Sequence, residues 1–265
     1  MRLLNRVVYS ITLMFGLLSA HVQASDLAKE QRWADQIVDS IITGEAQWLQ
    51  AGDIEFLSIY TEPTTDSSLG GAIIMHGIGV HPNWPDVILP LRTRLPDVGW
   101  HTLSLQMPVL ANDAETSEYR PLFSEIAPRV DAGVEFLKSK GVNNIVLIGH
   151  SMGATMASYY MANHDQPEVK ALLMIGATGY SFKDPELDVI QSLKKIKKPV
   201  LDISGSEDLP DVLTTQALKA ETAKTSGNMH YDEIRIEGAN HFLVGKEDEL
   251  VNEVGNWIEQ FGKAN

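Results

Sequence analysis

The chain of 265 residues contains no cysteine. This absence excludes disulfide bonds, lipid modification of a cysteine and a thiol nucleophile. A chain of this length can bury enough apolar surface to fold without covalent cross-links. The sequence also has no internal repeat, low-complexity tract or interdomain linker, so residues 25–265 are predicted to form one domain.

Basic residues are few, since 21 Lys and Arg stand against 35 Asp and Glu, a formal net charge of −14 at pH 7. A surface of this sign repels phosphate groups, so nucleic acid is not expected as a partner. A small-molecule acyl substrate without charge is compatible with such a surface. The composition does not determine the oligomeric state.

The chain has one long apolar run, residues 7–20, and Arg2 and Arg6 flank its start. Small residues precede a cleavage site after Ala24, which predicts a signal peptide over residues 1–24. An uncleaved membrane anchor is the alternative, but a run of about 14 residues is shorter than the roughly 20 that span a bilayer. Cleavage would leave 19 basic against 35 acidic residues, a net charge of −16, in a periplasmic or secreted protein without stable membrane insertion.

Strands and helices are predicted to alternate along the rest of the chain. A helix is expected from Ser25, a candidate cap, to about Gln50, with Trp33 and Trp48 near one face. Apolar runs predict strands at residues 54–60, 72–76, 101–106, 145–149, 171–175, 199–203 and 230–236. Helical patterns lie at residues 86–95, 124–139, 152–163, 185–194, 211–223 and 247–261. This order predicts an α/β fold, a mainly parallel sheet with helices on both faces.

Two segments are expected to shape a pocket at the carboxyl ends of the strands, where α/β proteins place ligands. They are residues 109–121 and 176–190. Only about 23 residues separate the strands at 171–175 and 199–203, which leaves no room for a large cap domain.

The sequence Gly149-His150-Ser151-Met152-Gly153 follows an apolar strand and precedes a helix. This arrangement predicts a sharp turn with Ser151 at its apex, and the glycines give the turn the room it needs. Ser151 is the candidate nucleophile. The simpler interpretation is a glycine-rich turn without chemistry.

A serine nucleophile requires a base and an acid that orients the base. Asp208 and His241 each follow a predicted strand, in the order serine, acid, histidine. Asp208 could instead be a turn or capping residue, with Glu207 as its substitute, whereas Asp202 lies within a strand and is expected to be structural. His241 could be a loop histidine bonded to the backbone.

An oxyanion hole needs two backbone N–H groups. Met152 supplies one, and the loop after the strand at 72–76 is expected to supply the other, from Ile78 or else Gly77. His76 is expected to hold this loop in place, and His150 to pack rather than react. No metal or cofactor is expected, although His76 and His81 flank the loop and could bind a metal by accident.

Together, His76-Gly77-Ile78-Gly79, the motif around Ser151, Asp208 and His241 resemble the α/β-hydrolase superfamily of the serine hydrolase type. More narrowly, the chain resembles an uncharacterised family of exported bacterial α/β-hydrolase-like proteins in three segments, residues 76–85, 99–108 and 199–210. The resemblance implies the α/β-hydrolase fold, a hydrolase, and a triad of Ser151, Asp208 and His241. The short connections make a buried tunnel for long acyl chains unexpected.

These observations favour an exported serine hydrolase that cleaves a carboxylic ester, or a thioester or amide, through an acyl-enzyme on Ser151. A binding or envelope protein that uses a hydrolase fold without catalysis is an alternative, because a fold does not fix a function. An acyltransferase or peptidase with the same three residues is another.

Overall fold

In the computed structural model, which describes residues 24–180 and 187–262, the strands form one eight-stranded sheet. Their order across the sheet is β1-β2-β4-β3-β5-β6-β7-β8. The strands are β1 Glu45–Ala51, β2 Ile54–Thr61, β3 Gly70–Met75, β4 Trp100–Leu105, β5 Ile145–His150, β6 Val169–Ile175, β7 Val200–Glu207 and β8 Tyr231–Asn240. The strands from β3 to β8 are parallel, while β2 is antiparallel to its neighbours β1 and β4.

The α-helices are α1 Leu27–Ile37, α2 Ile88–Arg94, α3 Phe123–Ser139, α4 Met152–Asn163, α5 Val189–Lys195, α6 Pro210–Thr225 and α7 Glu247–Gly262. Short 3-10 helices lie at Val38–Ser40, Leu95–Val98 and Thr116–Leu122. No helix in these described ranges is long and apolar enough to cross a membrane. The predicted signal peptide lies outside them except for Ala24. Residues 181–186 of the segment 176–190, which include the first two residues of the predicted helix 185–194, also lie outside them.

Helices cover both faces of the sheet, because the central strands are apolar on both faces. Ile73 and Leu147 share a buried cluster with side chains of α3, α4 and α5. Ile74 and Ile148, which point the other way, share a second cluster with side chains of α2 and α7. The predicted fold class, a mainly parallel sheet with helices on both faces, is confirmed, and no large cap is present among the described residues.

The predicted helix over residues 25–50 is wrong in its second half. Helix α1 ends at Ile37, and after Gly44, at φ +85°, the chain pairs as β1 with β2. Trp48 therefore lies on an edge strand and is 43% exposed. Helical spacing of apolar residues misled here, because it masked a hairpin signal: Gly52 and Asp53 form the two-residue turn that joins β1 to β2, with Gly52 at φ +63°.

Small corrections apply at other element ends. Asp26, rather than Ser25, caps α1 by accepting from Lys29 N–H at 2.9 Å, while Ser25 Oγ donates to Glu125 at 2.7 Å. Strands β7 and β8 run to Glu207 and Asn240, beyond the predicted ends at 203 and 236. Their extra length carries the following residues, 208 and 241, to the carboxyl edge of the sheet.

Candidate active site

Ser151 forms a sharp turn between β5 and α4. Its φ of 55° and ψ of −120° lie in a region that non-glycine residues rarely adopt, at a cost of about 1–3 kcal/mol. The Ser151 N–H donates to the carbonyl of Ile175 at 2.8 Å, and its carbonyl accepts from Ala154 N–H at 3.0 Å. These bonds fix the turn to the end of β6 and to the first turn of α4.

The glycines on either side of Ser151 allow the backbone to pack closely. A Cβ at Gly149 would lie 2.4 Å from the carbonyl oxygen of Gly153. A Cβ at Gly153 would lie 2.1 Å from the carbonyl oxygen of Met75 at the end of β3. No larger residue fits at either position without moving α4 away from the sheet.

The structure brings Ser151, Asp208 and His241 together in one hydrogen-bonded chain. His241 Nε2 lies 3.1 Å from Ser151 Oγ, and His241 Nδ1 lies 2.7 Å from Asp208 Oδ1. The three residues follow β5, β7 and β8, whose parallel directions place their carboxyl ends at one edge. Asp208 and His241 are buried, and Ser151 is partly exposed.

The surroundings of Asp208 keep its carboxyl ionised. Burial alone would raise the pKa of Asp208, but the hydrogen bond and the charge attraction from His241, together with two backbone hydrogen bonds, hold the pKa below its ordinary value. The N–H groups of Leu209 and Gly205 donate to the carboxylate at 2.7 and 3.2 Å and act in the same direction. An ionised Asp208 accepts from Nδ1–H of His241, which leaves Nε2 as the acceptor that faces Ser151.

Two further contacts hold His241 in place. His150 Nε2 lies 3.0 Å from the carbonyl oxygen of His241, and the ring centroids are 5.0 Å apart. Burial lowers the pKa of His150 to about 4, so the ring is neutral near pH 7 and its Nε2–H is the donor. On the other side, a Cβ at Gly176 would lie 2.9 Å from Cε1 of His241. Sequence reasoning missed Gly176, and its position directly after a predicted strand was the available signal.

The loop after β3 packs against Ser151. A Cβ at Gly77 would lie 3.0 Å from Ser151 Cβ. His76 holds this loop, because its Nδ1 lies 2.9 Å from the carbonyl oxygen of Gly77 and its Nε2 accepts from Met107 N–H at 2.9 Å. Burial lowers the pKa of His76 to about 3, so the ring stays neutral and donates from Nδ1.

This bond determines where the N–H of Ile78 points. In a trans peptide the carbonyl of Gly77 and the N–H of Ile78 face in opposite directions. The Ile78 N–H has no backbone acceptor among the described residues. Met152 is the first residue of α4, where N–H groups lack partners within the helix. Two N–H groups are thus available on the two segments that flank Ser151 Oγ.

The remaining residues that the sequence singled out lie apart from this chain of contacts. Glu207 ends β7 and is exposed. Asp202 is buried within β7 and is ion-paired with Lys219 at 2.6 Å. His81 contacts Trp33 and Trp84 with its ring, and burial lowers its pKa to about 4. Among the described residues, no group of three or more His, Asp or Glu is placed to hold a metal ion.

The sheet order and the turn at Ser151 define an α/β-hydrolase fold, and solved structures share it. Est1E from Butyrivibrio proteoclasticus matches with a TM-score of 0.63 and 17% identity over 83% of this chain and 99% of its own. The esterase Pf2001 from Pyrococcus furiosus has a TM-score of 0.66 and 17% identity over 83% of this chain and 93% of its own. A dienelactone hydrolase from Anabaena variabilis has a TM-score of 0.63 and 20% identity over 82% and 97%.

Sequence comparison identifies the family to which the chain belongs. A family model described as "Protein of unknown function (DUF3530)" matches residues 19–125 and 115–260. The chain therefore belongs to this family, whose description names no activity. A search of curated proteins finds no significant match. The TM-scores of 0.63 to 0.66 establish the fold, and identities of 17–20% extend the similarity no further than the fold.

Proposed function

We propose that the protein is an exported serine hydrolase that cleaves a carboxylic ester through an acyl-enzyme on Ser151. The observation that carries the proposal is the hydrogen-bonded chain from Ser151 through His241 to Asp208. The strained turn at Ser151 and the available N–H groups of Ile78 and Met152 support it. Export rests on the sequence pattern of residues 1–24.

In the proposed reaction, His241 Nε2 takes the proton of Ser151 as Oγ attacks the ester carbonyl carbon. The N–H groups of Ile78 and Met152 donate to the oxyanion, and one such donor is worth roughly 2.7–4 kcal/mol. As the tetrahedral intermediate collapses, the bond to the alcohol oxygen breaks and His241 gives its proton to that oxygen. Water then attacks the acyl-enzyme with His241 as base, which releases the acid and restores Ser151.

Exposed apolar side chains on the loops that carry the site favour an uncharged, apolar substrate. Ile78, Leu209 and Phe242 each follow directly a residue that lies at the site, and they are 37%, 51% and 40% exposed. Exposed apolar side chains on the loops of a site are typical of a surface that binds apolar ligands. The net charge of −14 adds to this preference, because it disfavours anionic substrates.

The test compares the wild-type protein with Ser151→Ala on p-nitrophenyl butyrate. We expect Ser151→Ala to lose about three or more orders of magnitude in kcat while circular dichroism stays unchanged, because no other group replaces the nucleophile. Ser124→Ala, at an exposed serine of α3, is the control and should keep full activity.

Covalent labelling separates an enzyme from a binding protein on this fold. A fluorophosphonate probe should modify the wild-type protein at Ser151 and leave Ser151→Ala unlabelled. Equal hydrolysis by Ser151→Ala would contradict the role of Ser151. A wild-type protein that neither hydrolyses esters nor takes up the probe would favour a non-catalytic role.

A further inference from the structure

Helix α6 carries a lysine that is buried although it lies outside the chain of reacting groups. The Lys219 side chain is 0% exposed. Its Nζ lies 2.6 Å from Asp202 Oδ2 and donates to the carbonyl oxygen of Ala177 at 2.7 Å. Lys219 shares the inward face of α6 with Val212, Thr215 and Ala223, which is the sequence signal that could have identified it.

A buried ion pair is a poor choice for stability alone. Removing two charges from water costs about as much as their attraction returns, and apolar residues of similar volume often serve equally well. Asp202 Oδ2 also accepts from the Tyr231 hydroxyl at 2.7 Å, but Asp202 Oδ1 has no partner among the described residues. The ion pair of Lys219 and Asp202 is therefore better explained as a contact that holds neighbouring segments in place.

Lys219 connects the segment behind His241 to the strand that precedes Asp208. Ala177 follows Gly176, whose backbone at φ +60° packs against the His241 ring. A Cβ at Gly176 would lie 2.9 Å from Cε1 and 3.0 Å from Nδ1 of that ring. Asp202 lies on β7, which leads directly into Asp208. One ammonium group thus ties together the supports of the base and of the acid.

The same helix holds this segment at a second point. Thr215, one turn before Lys219, accepts from Gly179 N–H at 2.9 Å. Its hydroxyl donates to the carbonyl oxygen of Asp211 at 2.6 Å. The two contacts fix residues 177 and 179 to α6, and so limit movement of Gly176 away from His241.

We propose that Lys219 is a positioning residue for the reaction of Ser151. With Asp202, it fixes Gly176 and Ala177 so that the His241 ring keeps its alignment between Asp208 and Ser151. The inference rests on the proposed function, since it requires His241 to act as the base. Small misplacements of a catalytic group can reduce turnover by about 100-fold, so this positioning is expected to affect kcat rather than substrate binding.

The test uses Lys219→Met combined with Asp202→Asn, which removes both charges and keeps an acceptor for Tyr231. We expect kcat on p-nitrophenyl butyrate to fall about tenfold or more while KM stays within about twofold of wild type. The proton NMR signal of His241 Nδ1–H shared with Asp208 should shift or broaden. Lys224→Met, at an exposed lysine of the same helix, is the matched control and should change neither kcat nor the Nδ1–H signal.

Thr215→Val provides a second variant that leaves no buried charge unpaired. Thr215→Val should also lower kcat and leave KM unchanged, and it can be measured even where the double variant folds poorly. Wild-type kcat and an unchanged Nδ1–H signal in the folded double variant, or in Thr215→Val where the double variant does not fold, would overturn the inference. That result, together with an inactive Ser151→Ala, would leave the proposed function standing, whereas an active Ser151→Ala would reject the proposed function itself.

Discussion

Three ionisable side chains around Ser151 are held in defined protonation states by their surroundings. Asp208 stays charged because hydrogen bonds to its carboxylate outweigh its burial. His76 and His150 stay neutral because burial lowers their pKa values to about 3 and about 4. Each neutral ring donates one hydrogen bond to a backbone carbonyl at the site, so acidification should act on stability as well as on activity.

His76 gives a prediction about stability and pH. The pKa of His76 is about 3 in the folded protein and 6.5 without burial, so the unfolded chain binds the extra proton between these values. The contribution of neutral His76 to the free energy of unfolding is fully present above about pH 6.5. It declines on acidification by at most about 1.4 kcal/mol per pH unit. His76→Gln cannot gain this proton. Between about pH 7 and pH 5, its free energy of unfolding should therefore fall by about 2 kcal/mol less than that of the wild-type protein.

Urea unfolding of both proteins at the two pH values measures this difference. The comparison cancels the opposite effects of Glu30 and Asp202, whose pKa values burial raises in both proteins. His230→Gln, at an exposed histidine, should follow the wild-type protein. Equal declines in the wild-type protein and in His76→Gln would exclude the neutral, buried state of His76.

The residues of the site were largely predictable because each follows a strand at a recognisable turn. Gly-His-Ser-Met-Gly identifies the turn at Ser151, and loops after predicted strands identify Asp208 and His241 as candidates. The sequence favoured Asp208 but kept Glu207 as its substitute, since neighbouring residues at a strand end face opposite directions and either could face the site. Burial of Asp208 against His241, with Glu207 exposed, separates them in the structure.

Among the secondary-structure elements, α1 shows how a peripheral helix is tied to the core. Arg129 of α3 is 0% exposed and donates to Glu30 of α1 at 2.8 and 3.0 Å. The same guanidinium donates to the carbonyl of Gln106 at 2.7 Å, just before Met107, which bonds His76. This contact joins α1, α3 and the end of β4 next to the loop that flanks Ser151.

Arg129→Met tests this connection. Removing one partner of a buried pair leaves Glu30 without its partner, so we expect the free energy of unfolding to fall by about 3–5 kcal/mol. Arg94→Met breaks the exposed pair of Arg94 with Asp248, at 2.7 Å. This change should alter the free energy of unfolding by at most about 1 kcal/mol. Denaturant unfolding of both variants checks the contrast, and equal losses would contradict the assigned role of burial.

Strand β1 is the element whose structure the sequence analysis predicted wrongly. Its residues have helical spacing, yet they pair with β2 from Glu45–Tyr60 to Ala51–Ile54. The parallel strands at the centre were easier to predict, because burial on both faces requires continuous apolar runs such as residues 145–148. Edge strands meet no such requirement, so the local signal for β1 lies in the two-residue turn at 52–53 rather than in an apolar run.

For the molecule as a whole, net charge should select among substrates. At −14, the protein should hydrolyse a neutral ester faster than an ester of similar size that carries a carboxylate. The ratio of the two kcat/KM values should shrink as salt rises, because the Debye length falls from about 10 Å at 0.1 M to about 3 Å at 1 M. Steady-state kinetics at the two salt concentrations measure the ratio. A ratio that is independent of salt would assign the preference to local contacts such as those of Phe242.

The sequence by itself determined the α/β class, the central strands and the candidate groups of the site, because these depend on local apolar patterns and on turn residues. Only the tertiary structure decided the distances among Ser151, His241 and Asp208 and the contacts of Lys219 with Asp202 and Ala177. Such contacts join residues far apart in the chain. Their geometry follows from how strands order themselves and how helices pack across a sheet, which no short stretch of sequence encodes.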